Sequence, residues 1–135
     1  MKVSIIGAGN VGATCAQFIA MKGIVSEIVL LDIAEGLAAG KAMDLAQSMP
    51  ALGFDTVIYP EVDDYSKTAN SEVIVVTSGQ PRKPGMSREE LVAVNVSIVE
   101  SVVKNAIKFS PKAVFVIVTN PLDTMTLVAL KASGL

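Results

Sequence analysis

The stretch KVSIIGAGNVGATCA, residues 2–16, decides the fold. A β-branched apolar run leads straight into Gly7-x-Gly9-x-x-Gly12, and a segment of helical period follows at once. In that context each glycine has a separate task. Gly7 permits a tight turn, Gly9 lets backbone approach a pyrophosphate without an intervening Cβ, and Gly12 lets helix and strand pack closely. Ala8, Asn10 and Val11 complete the candidate phosphate turn, where free N–H groups at the helix start attract an anion.

The second half of this dinucleotide fingerprint is Asp32, at the end of the next apolar run and 20 residues beyond Gly12. A carboxylate there accepts hydrogen bonds from an adenosine ribose and repels a 2′-phosphate, which favours NAD over NADP. FAD proteins share the pattern and stay open as a competitor. The bland alternative is a set of ordinary turn glycines beside a strand-end acid; strand, glycines, helix and acid in register weigh against it. A P-loop nucleotidase is excluded because no G-K-[ST] follows the glycines.

Outward from this turn, short apolar runs alternate with helical segments, the pattern of a parallel sheet with crossover helices. Strands are expected at Lys2–Ala8, Glu27–Asp32, Asp55–Tyr59, Glu72–Ser78 and Ala113–Asn120. They would form one doubly wound Rossmann domain over residues 1–135, in the order 3-2-1-4-5 with the sixth strand missing. A first helix runs from Asn10 to Lys22 with Val11, Cys15, Phe18 and Ile19 as its apolar stripe. A second carries Ala38, Ala42, Leu45 and Met49 on one face and ends at Pro50. Ser87 and Glu90 form the capping box of a long helix reaching Phe109, with Leu91, Ile98, Val102 and Ala106 inward. The last follows Pro121, shows Leu122, Met125, Ala129 and Ala132 on one face, and closes on Gly134.

Composition fits this reading. Apolar residues make up 51% and charged residues 18% of 135 residues, which suits strands buried on both faces. The mean hydropathy of +0.55 does not imply a membrane span, since no apolar stretch is long enough. With no signal sequence ahead of the first strand, the expected location is the cytoplasm. A net charge of -2 with dispersed lysines gives no basic surface for nucleic acid. The single cysteine, Cys15, reads as core packing, and neither a disulfide nor a thiolate metal site can be built from it. Histidine is absent altogether.

A second stretch, VTSGQPRKPGMSREE at residues 76–90, crowds Arg82, Lys83 and Arg88 with two prolines and a glycine beyond the fourth strand. Pro81, Pro84 and Gly85 keep it out of strand and helix, at the sheet edge where ligands bind. Arg88 falls just inside the capped helix, where the macrodipole disfavours a cation. Two guanidiniums, each able to grip a carboxylate through parallel hydrogen bonds, suggest a small polyanionic substrate. A solvated loop with incidental charge is the alternative on residue chemistry alone.

IGAGNVGATCA, LLDIAEGLAAGKAMDL, TSGQPRKPGMSREEL, Asn95 and VTNPLDTMT together resemble the malate and lactate dehydrogenases, and among them the malate dehydrogenases built like lactate dehydrogenase. The likeness covers this whole chain but only the amino-terminal, nucleotide-binding half of that family's subunit. It implies an NAD-dependent oxidoreductase interconverting malate and oxaloacetate in the tricarboxylic acid cycle, acting as a dimer or tetramer. The R-K-P-G-M-x-R segment would then be a mobile loop, with Arg82 pairing with the distal carboxylate and Arg88 polarising the ketone oxygen. Lactate dehydrogenases typically carry glutamine at the position of Arg82. Asn95 matches a residue near the cofactor, although a polar residue in a helical pattern commonly faces solvent. Val118, Thr119 and Asn120 end the fifth strand at the ligand edge, and Asn120 matches a residue contacting both cofactor and substrate; Asn-Pro also initiates a turn.

The family's proton-donating histidine, its aspartate partner and a further arginine lie outside the resemblance seen here. The expectation is therefore a fragment of a longer subunit that binds dinucleotide without appreciable turnover, with an apolar fifth strand left open to self-association. Lactate dehydrogenase and a non-enzymatic dinucleotide module are the alternatives.

Overall fold

A computed structural model describes residues 1–135. Chain order gives β1 (Lys2–Ile6), α1 (Asn10–Ala20), β2 (Glu27–Asp32), α2 (Glu35–Ala51) and β3 (Val57–Val62). A 3-10 turn at Tyr65–Thr68 precedes β4 (Val73–Val76), α3 (Arg88–Phe109), β5 (Val114–Ile117) and α4 (Leu122–Ser133). All strand pairs are parallel, and the sheet order is β3-β2-β1-β4-β5, as the sequence implies.

The two-residue period of a strand sends neighbours to opposite faces, so central strands buried on both sides are mostly apolar, the buried Ser4 of β1 being paired with Ser71. Ile5 and Leu30 join Ala16, Ala42 and Met49 beneath α1 and α2. Ile6, Leu31, Ile74 and Val76 turn the other way and pack against Val99, Val103 and Met125 from α3 and α4. Pro60 is accommodated because β3 is an edge strand.

The inward face of α1 differs from the expected stripe. Val11 is 54% and Phe18 61% exposed, Cys15 and Ile19 are half-buried, and Gly12, Ala13, Ala16 and Ala20 make the contact instead. Close approach of this helix to the sheet leaves room only for small residues. On α3 the buried set is Asn95, Val99, Val102, Val103 and Ala106, while Leu91 and Ile98 are half-buried. Leu122 is exposed and Ala132 half-buried, leaving Met125 and Ala129 as the anchors of α4.

Pro50 does not end α2, which continues to Ala51. Proline there removes one N–H, and the turn closes around it: Leu52 N donates to Ser48 O and Met49 O, and Phe54 N to Met49 O. The Ser87–Glu90 capping box forms in both directions, and Gly134 adopts the left-handed cap at φ 72°. No helix is long and apolar enough to cross a membrane.

Candidate functional site

The carboxyl ends of β1, β2, β4 and β5 converge on one edge, and the geometry there begins with the β1–α1 turn. Gly7 has φ +109°, a conformation that a side chain rarely adopts. At Gly12 a Cβ would lie 1.8 Å from Gly7 O and 2.8 Å from Thr77 Oγ1, so α1 rests directly on the turn it leaves. Gly9 differs: a Cβ there meets nothing within 4 Å. Protein packing does not require glycine at that position, so the open space is available to a ligand.

No side chain caps α1 and no acid occupies its first turn. The first intrahelical bond is donated by Ala13 N to Gly9 O, leaving the N–H groups of Asn10, Val11 and Gly12 free as an anion cradle. Thr77 Oγ1 donates to Gly7 O at 3.0 Å, and Ser78 Oγ donates to Ile6 O at 2.8 Å, pinning the turn to the end of β4.

Asp32 is half-buried at the end of β2. Its Oδ2 accepts the Ala8 N–H at 2.6 Å and its Oδ1 the Ala34 N–H at 3.0 Å. Each carboxylate oxygen keeps capacity for a further donor, so the acid is aimed without being used up. Beside it lies a cavity of about 330 Å³, walled by Asp32, Ile33, Leu37, Tyr65 and Ile98. Burial, with Asp63 and Asp32 nearby, pushes the Tyr65 hydroxyl up to about 12. Asp64 caps the turn that carries Tyr65, accepting Ser66 N–H at 2.9 Å, and bonding to Ser66 holds its carboxyl below the usual range.

On the other side of the glycine turn a second cavity, of about 570 Å³, is lined by Asn10, Val11, Arg82, Asn95 and the Val118–Asn120 strand end. Gly9, Thr77, Gly79 and Gln80 line both cavities, which are therefore two parts of one cleft along the sheet edge.

The family model for the NAD-binding domain of lactate/malate dehydrogenases matches residues 1–135. The chain belongs to this family. A malate dehydrogenase of Flavobacterium johnsoniae is 58% identical over 135 residues, covering 100% of this chain and 43% of that protein. One from Bacteroides fragilis is 56% identical over 134 residues, with 99% and 43% covered. Among solved structures, malate dehydrogenase from Archaeoglobus fulgidus in complex with NADH matches with a TM-score of 0.95 and 42% identity, covering 100% of this chain and 46% of that one. The minor L-lactate dehydrogenase of Enterococcus mundtii matches at 0.92 and 30% identity, with 99% and 42% covered. The chain thus spans less than half the length of these relatives.

Arg82 is exposed, lines the larger cavity, and donates from Nε to Met86 O at 2.9 Å. That bond leaves the two terminal nitrogens of the guanidinium unengaged. Arg88 is the first residue of α3, also exposed, and lines neither part of the cleft. Neither arginine forms an ion pair. The structure thus brings Arg82 to the cleft and leaves Arg88 beside it.

Asn95 departs from the solvent-facing habit of polar helix residues: it is 3% exposed. Its Oδ1 accepts Gln80 N–H at 2.8 Å, and its Nδ2 donates to Gln80 O at 3.3 Å and Asn120 O at 2.9 Å. Thr119 Oγ1 donates to Ser78 O at 2.6 Å. Gly79, not singled out by sequence reasoning, sits where a Cβ would lie 2.6 Å from Thr119 Cγ2. The Thr-Ser-Gly at the end of β4 was the available signal, since strand-end glycines mark close backbone approach. Tyr65 was missed as well, for want of any local motif around it.

Proposed function

We propose that this chain is the dinucleotide-binding part of an NAD-dependent malate dehydrogenase. The observation that carries the reading is the continuous cleft from Asp32, past the unhindered Gly9, to Asn120 and Arg82. In this reading the Asp32 carboxylate takes the adenosine ribose hydroxyls. The free N–H groups of Asn10, Val11 and Gly12 take the pyrophosphate, with Gly7, Ala8 and Gly9 giving it room. The nicotinamide end then falls among Asn95, Val118, Thr119 and Asn120.

Bound NAD would supply the hydride acceptor for oxidation of malate to oxaloacetate. Within this chain Asn120 and Arg82 would orient the dicarboxylate, Arg82 pairing with its distal carboxylate. Arg88 stands at the far root of the loop, so it would reach the ketone oxygen only as the loop closes. Among solved structures, malate dehydrogenases at 41 to 43% identity against 30% for the lactate dehydrogenase support malate over lactate. An arginine closed over pyruvate would face a methyl group and leave its charge unpaired, which adds to the discrimination.

The exposed Val11 and Phe18 on α1 and Met43 on α2 support association through these helices, in a homodimer or larger assembly. The test of function is direct. NADH added to the chain should bind and show enhanced fluorescence, with NADPH at least about tenfold weaker because its 2′-phosphate meets Asp32. Equal affinity for both, or for neither, would refute the proposal. In the complete subunit, Arg82→Gln should move preference from oxaloacetate toward pyruvate.

A further inference from the structure

We infer that Asn95 is a positioning residue: it ties the root of the arginine loop to the end of β5 and thereby shapes the nicotinamide end of the cleft. The inference rests on the dinucleotide reading above and adds a division of labour within it.

The Asn95 amide has already committed most of its hydrogen-bonding capacity to the protein. Both of its N–H donors are used, one on Gln80 O and one on Asn120 O, and its oxygen accepts from Gln80 N. A side-chain amide offers two donors and one acceptor oxygen with two lone pairs. Only one lone pair is left for anything in the cleft. The residue is almost fully buried, so these bonds form without competition from water.

Neighbouring packing fixes the same point. Gly79 lies against Thr119 and Asn95 so closely that a Cβ would stand 2.6 Å from Thr119 Cγ2 and 3.3 Å from Asn95 Oδ1. Thr119 in turn bonds Ser78 O. Residues 78–80 are therefore held from three sides, by Asn95 of α3, by Thr119 just after β5, and by Ile6 of β1, whose carbonyl accepts the Ser78 hydroxyl. Beyond Gln80 the restraint changes: Arg82 and Met86 are bonded only to each other or to Lys83. Gln80 is thus the last residue of the loop bonded to the rest of the domain before Ser87, and Asn95 sets where it stands relative to Asn120.

Substitution of one atom isolates the effect. Asn95→Asp keeps an acceptor for Gln80 N but turns a carboxylate oxygen toward the carbonyls of Gln80 and Asn120. Protonating that carboxylate restores a donor, whereas Asn95→Ala has nothing to restore. Two readouts on the chain itself are needed: hydrogen exchange of the Gln80 amide, and affinities for NADH and for ADP-ribose, which lacks the nicotinamide.

For Asn95→Asp at neutral pH, Gln80 exchange should speed at least about tenfold and NADH affinity fall about tenfold, with ADP-ribose affinity within about twofold of the parent. Lowering the pH through the protonation of the new carboxyl, which burial and two facing carbonyls raise, should recover NADH binding for Asn95→Asp relative to the parent at the same pH and not for Asn95→Ala. Equal losses for both ligands would mean general loosening and overturn the inference. Loss of NADH alone with unchanged Gln80 exchange would make Asn95 a direct cofactor contact, which also overturns it. If the parent chain bound neither ligand, the dinucleotide reading itself would fail, an outcome separate from any effect of the variants.

Discussion

The Asp32 carboxylate accepts the Ala8 N–H at 2.6 Å, so the acid of one strand end is fastened to the glycine turn of the next. The bond holds the half-buried carboxylate in one orientation, as the proposed ribose contact would need. Asp32→Asn replaces one acceptor oxygen with a donor that opposes Ala8 or Ala34. Loss of a charge-assisted bond on this scale is about 1.5 to 3 kcal/mol. NADH affinity should fall at least about tenfold, measured by fluorescence titration, and the preference over NADPH should shrink.

Gly12 and Gly9 should respond oppositely to the same methyl group. Gly12→Ala drives a Cβ into Gly7 O and Thr77 Oγ1, and overpacking of this kind costs about 1 to 3 kcal/mol or more. Gly9→Ala meets no protein atom and should unfold at the parental denaturant midpoint while binding NADH about tenfold more weakly. Denaturation and titration of the two variants separate packing from ligand space.

Legibility in the sequence followed the range of the forces involved. The glycine turn and the capping box could be read because each depends on residues close in sequence, and the strand order, a long-range property, followed only from the fold class that the turn implies. The inward face of α1 could not, because hydrophobicity marked Val11 and Phe18 while close approach to the Gly7 turn requires Gly12 and packing on the sheet buries Ala16 and Ala20. Asn95 and Gly79 were obscure for a related reason. Their constraints come from Gln80, Thr119 and Asn120, partners supplied by other elements that no local pattern reveals.

Tyr65 provides a pH signature. Its hydroxyl is pushed up to about 12 from the ordinary 10 by burial and by the nearby Asp63 and Asp32. The folded state therefore holds this proton more tightly than the unfolded chain does. Its contribution is fully present below pH 10 and is lost as the pH rises toward 12. Unfolding midpoints should fall over that window, and Tyr65→Phe should flatten the slope; an unchanged slope in the variant would show that Tyr65 is not its source.

β5 is an edge strand with Val114 63% and Val116 43% exposed, and unpaired edges of this kind recruit other strands. The chain should self-associate at high concentration, and Val114→Lys should reduce the effect in sizing experiments. A parent chain that stays monomeric throughout would contradict this.

A crystal of the chain grown with NADH tests the cleft as a dinucleotide site without intermediate steps. The adenosine ribose should sit on the Asp32 carboxylate, the pyrophosphate on the N–H groups of Asn10 to Gly12, and the nicotinamide between Asn120 and the Arg82 side of the cleft. Cofactor bound away from the glycine turn, or a reversed molecule with its nicotinamide against Asp32 and Tyr65, would contradict that placement.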